Sequence, residues 1–242
     1  MQGDGFFDAD VSKTYDRDHG DQPPEQIAKT VDLLSELAGD GPILEFAIGT
    51  GRIALPLAAR GHLVKGIEMS NAMVSELRKK ETGLPLDIAI GDMTTTRVDG
   101  TFALVYLIFN TIDNLTMQEA QIACFENAAR HLTPGGRFLI ETQVPLIQKV
   151  PFGQTRHAFA CDADHFGVDD IDIVTQNYTS NHVWMDGDTH TYFSLPLRYA
   201  WPSEMDLMAR IAGIEFENRW GDWDKTPFTR RSTSHISVWR KP

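Results

Sequence analysis

Apolar and polar positions change rhythm three times along the 242 residues. After Pro23-Pro24, Ile27, Val31, Leu34 and Leu37 recur at three- and four-residue steps, the spacing of one helix face, and Gly39 and Gly41 close the pattern. Ile43, Leu44, Phe46 and Ile48 then follow with no helical spacing. Such a run predicts a strand buried on both faces, the mark of a parallel sheet in an α/β domain. The alternation continues with a helix over 52–60, where Pro56 is tolerable only near the amino end, and a strand over 62–68. Ser70 is placed to cap a helix carrying Met73, Val74 and Leu77, and a short strand over 86–90 comes next. Residues 102–109 are eight consecutive apolar positions, predicting the most deeply buried strand. Thr116 and Glu119 have the spacing of a capping box for a helix running to about His131, and a strand over 137–142 ends this rhythm.

From 145 to 200 the pattern turns to long polar and aromatic strands, 170–185 and 188–199, joined by the hairpin signal Asp186-Gly187. This predicts an antiparallel ribbon inserted after strand five, carrying Tyr178, His182, Trp184, His190, Tyr192, Arg198 and Tyr199 on one element. Pro202-Ser203 then starts a helix with Met205, Met208 and Ile211, and strands over 214–220 and 234–240 follow. In the loop between them, Trp223 either flanks a ligand or pins the loop to the sheet. The resulting division is 1–40, an amino-terminal segment and helix; 41–144, a ligand-binding core; 145–200, an antiparallel cap; and 201–242, a helix and closing strand pair.

The first strand runs straight into Gly49-Thr50-Gly51-Arg52-Ile53-Ala54, which satisfies the pattern G-x-G-x-x-G/A. Without Cβ atoms, Gly49 and Gly51 allow a tight turn and close approach of a ligand. Glu68 closes the second strand 17 residues beyond Gly51, where a carboxylate can accept both ribose hydroxyl hydrogens. These features indicate an adenosine-type ligand and choose no particular one. Glu45 narrows the choice. A buried acid four residues before the first glycine would repel a pyrophosphate and would suit a cation.

The stretch 42–54 resembles motif I of the class I S-adenosylmethionine-dependent methyltransferases, with Ala47 standing where the first glycine usually is. A second match, Leu132-Thr133-Pro134-Gly135-Gly136, resembles the Leu-x-Pro-Gly-Gly turn common in that family. The resemblance implies an α/β, Rossmann-like fold with a seven-stranded sheet and S-adenosylmethionine as cofactor. Its implied contacts are Glu45, Ala47, Gly49, Thr50 and Gly51 at the turn, Glu68 and Met69 at the ribose, and Asp92 and Met93 at the adenine. Glu45 would act directly, through water or through the loop backbone. Phe109 and Asn110 would lie beside the methyl group, and Tyr15, in a Tyr-Asp pair of the kind found in amino-terminal lids, would cover the cofactor. The reaction it implies is methyl transfer to a nitrogen or oxygen of a small molecule held under the insertion, with Tyr178, Arg198 and Trp223 as candidate substrate contacts. A hydroxyl acceptor needs a base, for which Asp113 and His165 are the first candidates, beside His157, His182 and His190. The competing readings are a nicotinamide-dependent oxidoreductase and a non-catalytic cofactor-binding protein of the same fold.

Composition trims the list of partners. With 22 Lys and Arg against 34 Asp and Glu the formal charge is −12, which removes the basis for tight phosphate-backbone binding, so no nucleic-acid partner is expected. No apolar run of about 18 residues and no signal-like start occur, so no membrane partner and a cytoplasmic location are expected. Cys124 and Cys161 show no metal-ligand spacing, and no metal is expected. A homodimer is compatible with the sequence and not required by it.

Overall fold

A computed structural model describes residues 7, 9–18, 23–80, 83 and 86–242; the remaining residues of the expected amino-terminal lid, His19 among them, lie outside the described residues. A seven-stranded sheet has the order β10-β11-β5-β4-β1-β2-β3. Its parallel strands are β1 (Ile43–Phe46), β2 (Val64–Glu68), β3 (Asp87–Ile90), β4 (Phe102–Leu107) and β5 (Leu132–Gln143). The strands β10 (Glu215–Trp220) and β11 (Ser234–Arg240) close it, β11 running antiparallel to β5. This is the seven-stranded sheet that the resemblance implies.

Because side chains alternate across a strand, β1 feeds two cores. Leu44 and Phe46 enter a core shared with α5 (Gln118–His131) and α6 (Pro202–Ile211), where Phe125, Phe138 and Trp239 pack edge to face and tilted at 5.0–6.2 Å. Ile43 faces the other way, toward α2 (Pro24–Ala38), α3 (Ala54–Ala59) and α4 (Asn71–Lys80). Glu45 lies on that side, in register with Tyr106 of β4. The methionine stripe of α6 is core, as Met205 and Met208 are fully buried.

Three expected boundaries move for physical reasons. The turn after β1 consumes Arg52 and Ile53, so α3 starts at Ala54 and Pro56 falls in its first turn. The α5 N-cap is Met117, with no side-chain cap bond, in place of Thr116; the helix start is fixed instead by Gln121, whose buried amide donates to Ile112 O and Arg198 O. The last residue of the long apolar run, Phe109, is not strand at all, having φ of 60°.

The insertion is a four-stranded antiparallel sheet, not a two-stranded ribbon. Its strands β6 (Arg156–Cys161), β7 (His165–Ile171), β8 (Asn177–Asp186) and β9 (Thr189–Arg198) are ordered in sequence. The expected strand 170–185 is broken because Asp172 folds back on the chain, accepting the Val174 N–H and the Thr175 hydroxyl at 2.8 Å each. The hairpin survives with its centre shifted by one, since Asp186 pairs with Thr189 and leaves Gly187 and Asp188 as the turn.

Candidate active site

The turn after β1 is built by backbone conformations that glycine favours. Gly49 has φ of 56°, Gly51 of 78°, and Ala47, without that freedom, is held at 53°. A Cβ on Gly51 would come within 2.9 Å of Leu77, so this glycine serves the packing of α4 under the turn, and it lines no cavity of the cleft. Glu68, at the end of β2, receives Gly49 N–H at 2.8 Å on one oxygen and Ser70 N–H at 2.9 Å on the other. The carboxylate that takes these two backbone donors is only 7% exposed. Ser70 in turn caps α4 by accepting Met73 N–H.

Two adjoining cavities follow this turn and share Tyr15, Ala47, Gly49 and Thr111 in their walls. The larger, about 160 Å³, is lined by Glu68, Met69, Met73, Asp92 and Met93, with Asn114 and Leu115 at its edge. Asp92 uses one oxygen to hold the Thr94 backbone and hydroxyl, at 2.7 and 2.8 Å. The smaller, about 40 Å³, is lined by Glu45, Thr50, Arg52 and Phe109. Above both lies α1 (Ala9–Asp18), latched by Asp16, which accepts the Thr50 hydroxyl and the Lys80 ammonium at 2.6 Å each.

Glu45 does not project freely into the cleft. Burial pushes its carboxyl up to about 8, against hydrogen bonds from the Tyr106 hydroxyl at 2.6 Å and from Ala54 N–H. It therefore ties β1 to β4 and to the start of α3, which supports the loop-backbone route among the expected ones. Arg52 was missed in the sequence, yet its guanidinium lies 5.5 Å from the Tyr15 ring and 4.9 Å from that of Phe109. Its place directly after Gly-Thr-Gly was the available signal.

At the end of β4, Phe109 and Asn110 both take left-handed conformations, an arrangement costly for a bulky residue. The corner is braced by β5: Glu141 accepts Phe109 N–H at 2.7 Å, and Asn110 Oδ1 accepts Gln143 N–H at 2.6 Å. Asn110 thus turns its side chain to β5, and it is Phe109 and Thr111 that line the cleft. The following 3-10 turn, Thr111–Asn114, has two faces. Thr111 and Asn114 face the cleft, while Asp113, 1% exposed, accepts the Tyr178 hydroxyl at 3.1 Å and the Gln143 amide at 3.3 Å. Burial, with the Glu141 charge adding to it, holds Asp113 up to about 7 despite these donors. Tyr178 also lines a cavity of about 1070 Å³ at the base of the insertion, with Ile147, Val150, Ile171, Asp170 and Asp172.

Asp113 and Tyr178 are thus brought together, and three other candidates are not. His165 stacks on Trp184 at 3.7 Å and shares a 3.0 Å hydrogen bond with His182. It stands six residues, about 20 Å of strand, from the Ile171–Tyr178 pair, because the insertion strands run away from the cleft. Arg198 is 5% exposed and spent internally on Gln121 and Glu204, pinning β9 to α5 and α6. Trp223 packs against the α2 side of the sheet, in a loop fastened there by Lys29–Asp224 at 2.8 Å and Lys225–Glu36 at 2.5 Å. Its pinning role is the one observed.

Known proteins share this arrangement. The profile of the methyltransferase domain family matches residues 43–136, which span the glycine turn, Glu68, Asp92 and the Pro-Gly-Gly turn. The chain carries a methyltransferase domain over these residues and is similar to class I S-adenosylmethionine-dependent methyltransferases. It is 29% identical to the cypemycin N-terminal methyltransferase of a Streptomyces species over 199 residues, 81% of each chain. The CcbJ methyltransferase of Streptomyces caelestis superposes with a TM-score of 0.86 at 29% identity, covering 98% of both chains. S-adenosylmethionine-bound CalS10, an amino pentose methyltransferase of Micromonospora echinaspora, shares the fold, with a TM-score of 0.68 at 20% identity over 96% of this chain and 97% of its own. The structure of CalS10 holds S-adenosylmethionine, and the cleft here fits such a group: the Glu68 and Asp92 carboxylates suit ribose and adenine donors, and the methionine-lined slot suits a flat ring.

Proposed function

We propose that this methyltransferase methylates the nitrogen of an amine on a small-molecule acceptor. The observation that carries the reading is the Tyr178 hydroxyl, which lines the insertion cavity and donates to the buried Asp113 carboxyl. When bound, S-adenosylmethionine supplies an electrophilic methyl group on its sulfonium. Glu68 would hold the ribose hydroxyls, Asp92 the adenine amino group, and Met69, Met73 and Met93 would pack on the ring. Tyr15, on the latched helix, and Phe109 would keep water from the methyl group.

An amine attacks only with its lone pair free, so an ammonium must first lose a proton. In the proposed relay the ammonium proton passes to Tyr178 Oη as the Tyr178 proton passes to Asp113, leaving neutral amine, tyrosine and a protonated carboxyl. Asp113, titrating at about 7, is matched to this task, since amino groups titrate from about 8 upward, whereas an alcohol would yield its proton to such a carboxylate very poorly. Asp170 and Asp172 on the cavity wall favour a cationic acceptor. The names of two relatives agree, one acting at a peptide amino terminus and one on an amino pentose.

The test is transfer of a labelled methyl group to an amino sugar and a free-amino peptide, each beside its N-acetylated form. Label should enter the free amines and not the acetylated forms. Label on a hydroxyl of an acetylated form, or on no member of the panel, goes against the reading.

A further inference from the structure

The cavity at the base of the insertion is larger than a simple amine requires. Its volume of about 1070 Å³ exceeds the roughly 300–1,000 Å³ of pockets that enclose drug-sized ligands. A single small sugar or amino acid would leave most of that space to water, and much of the wall is apolar. Ile147 and Val150, in and just after the 3-10 turn Leu146–Lys149, pack with Ile171 and Tyr178 in a small apolar cluster, and all four line the cavity. The mouth carries apolar side chains too. Phe152 is fully exposed and Ile173 is 67% exposed, both lining this cavity, and Val174 next to Ile173 is 87% exposed. The two loops that carry them meet where Thr155 O accepts Ile171 N–H at 2.7 Å.

A lone exposed apolar side chain needs no explanation, whereas several on two adjoining loops around a cavity mark a ligand groove or a docking surface. Charge decides against a lipid surface. A chain of formal charge −12, with Asp170 and Asp172 on this wall, is repelled by anionic headgroups. Continuity decides for the acceptor itself, because Tyr178, whose hydroxyl donates to Asp113 at 3.1 Å, stands on the wall of the same cavity. The rim, the apolar wall and the proposed relay therefore border one space. We infer that the acceptor is an amphiphile: an amine carried on an apolar body at least as large as a drug molecule. Its nitrogen lies at Tyr178, while its body packs against Ile147, Val150 and Ile171 and reaches the mouth between Phe152 and Ile173. One wall then serves both halves of the molecule, its acids favouring the cation and its apolar side chains the body.

The inference rests on the reading that an amine is methylated, and the choice of probes separates the two. Transfer of a labelled methyl group is measured with butylamine, octylamine and an amine-ended ethylene glycol chain of octylamine's length. Octylamine should exceed butylamine in kcat/KM by about twentyfold or more, since each buried methylene is worth up to about fourfold, and the glycol chain should not. Phe152→Ser and Ile173→Ser, at exposed positions, should each narrow the ratio of octylamine to butylamine by about threefold or more. Calorimetry adds a readout without turnover: octyltrimethylammonium, which has no lone pair to methylate, should bind at least about tenfold more tightly than tetramethylammonium. Equal methylation of butylamine and octylamine would overturn the inference and leave the amine reading standing. Rim substitutions that alter self-association in sedimentation but not the chain-length ratio also overturn it, by making the rim a protein contact. If no amine is methylated yet octyltrimethylammonium keeps its preference, the amine reading fails and the apolar site stands; if that preference is missing too, both fail.

Discussion

Single residues in this cleft do two jobs, and the second constrains how they can be tested. Glu68 holds the backbone of the glycine turn through Gly49 and the start of α4 through Ser70, so its removal disturbs the cradle as well as any ligand. Ala47 allows a cleaner experiment. At φ of 53° it carries strain of about 1 kcal/mol that glycine would not. Ala47→Gly should leave the melting temperature nearly unchanged, the relief of strain offsetting the entropy of the freer chain, and Ala47→Val should lower it by several degrees. A Val variant as stable as the parent would show that the backbone at 47 relaxes freely. Asp113 gives the catalytic counterpart. Replacing it by Asn keeps an acceptor for Tyr178 and removes the proton sink, so turnover should fall about a hundredfold with cofactor affinity unchanged. The rise of kcat/KM through about pH 7 should disappear with it. A variant that retained both rate and pH profile would disprove the relay.

At the scale of elements, the lid helix α1 is held to the cofactor turn by a latch that is mostly solvent-facing. Burial works against ionised Asp16, but hydrogen bonds from Lys80 and Thr50 prevail and keep its carboxyl below the usual range. With Asp16 about half exposed, such a contact contributes little to global stability. Its effect should appear in the dwell time of the cofactor: Asp16→Ala should speed dissociation a few-fold in stopped flow and leave the melting temperature of the free protein within a degree or two. Identical off-rates would leave Tyr15 and its neighbours as the whole lid. The elements also differ in how legible they were. The central strands β1 and β4 announced themselves because they are buried on both faces and read as largely apolar runs, whereas β2, which ends in Glu68, and the edge strand β3, which precedes Asp92, were legible through the alternation of strand and helix around them. The insertion was read only in part, because its strands alternate weakly and the break at Asp172 depends on one side chain turning back on its own loop. Arg198 looked like a ligand contact since no local pattern reveals that Gln121 and Glu204, 77 and 6 residues away, absorb its charge.

Across the whole molecule, the buried ionisable groups set a dependence of stability on pH whose sign can be worked out. Glu45, held up to about 8, and Asp113, held up to about 7, keep protons in the folded state that the unfolded chain has released above about pH 4. The folded state then binds more protons, so stability falls as pH rises toward those values, by at most about 1.4 kcal/mol per pH unit for each group. His235 acts in the opposite sense: burial, with the Arg219 charge, depresses it to about 3, so its contribution grows as pH rises and is complete by about 6.5. His131 is depressed as well, again chiefly by burial. Below pH 6.5 the histidines and the two acids therefore oppose one another, and above it the acids act without that opposition. The melting temperature should drop between pH 6.5 and 8 and level off beyond. The net charge of −12 would add a drift of the same sign through self-repulsion, so the attribution is made by substitution. Glu45→Gln and Asp113→Asn, uncharged at every pH, should each flatten the profile in their own part of the window. A profile that rises from pH 6.5 to 8, or one that the two substitutions leave unaltered, would mean that these carboxyls are ionised in the folded protein.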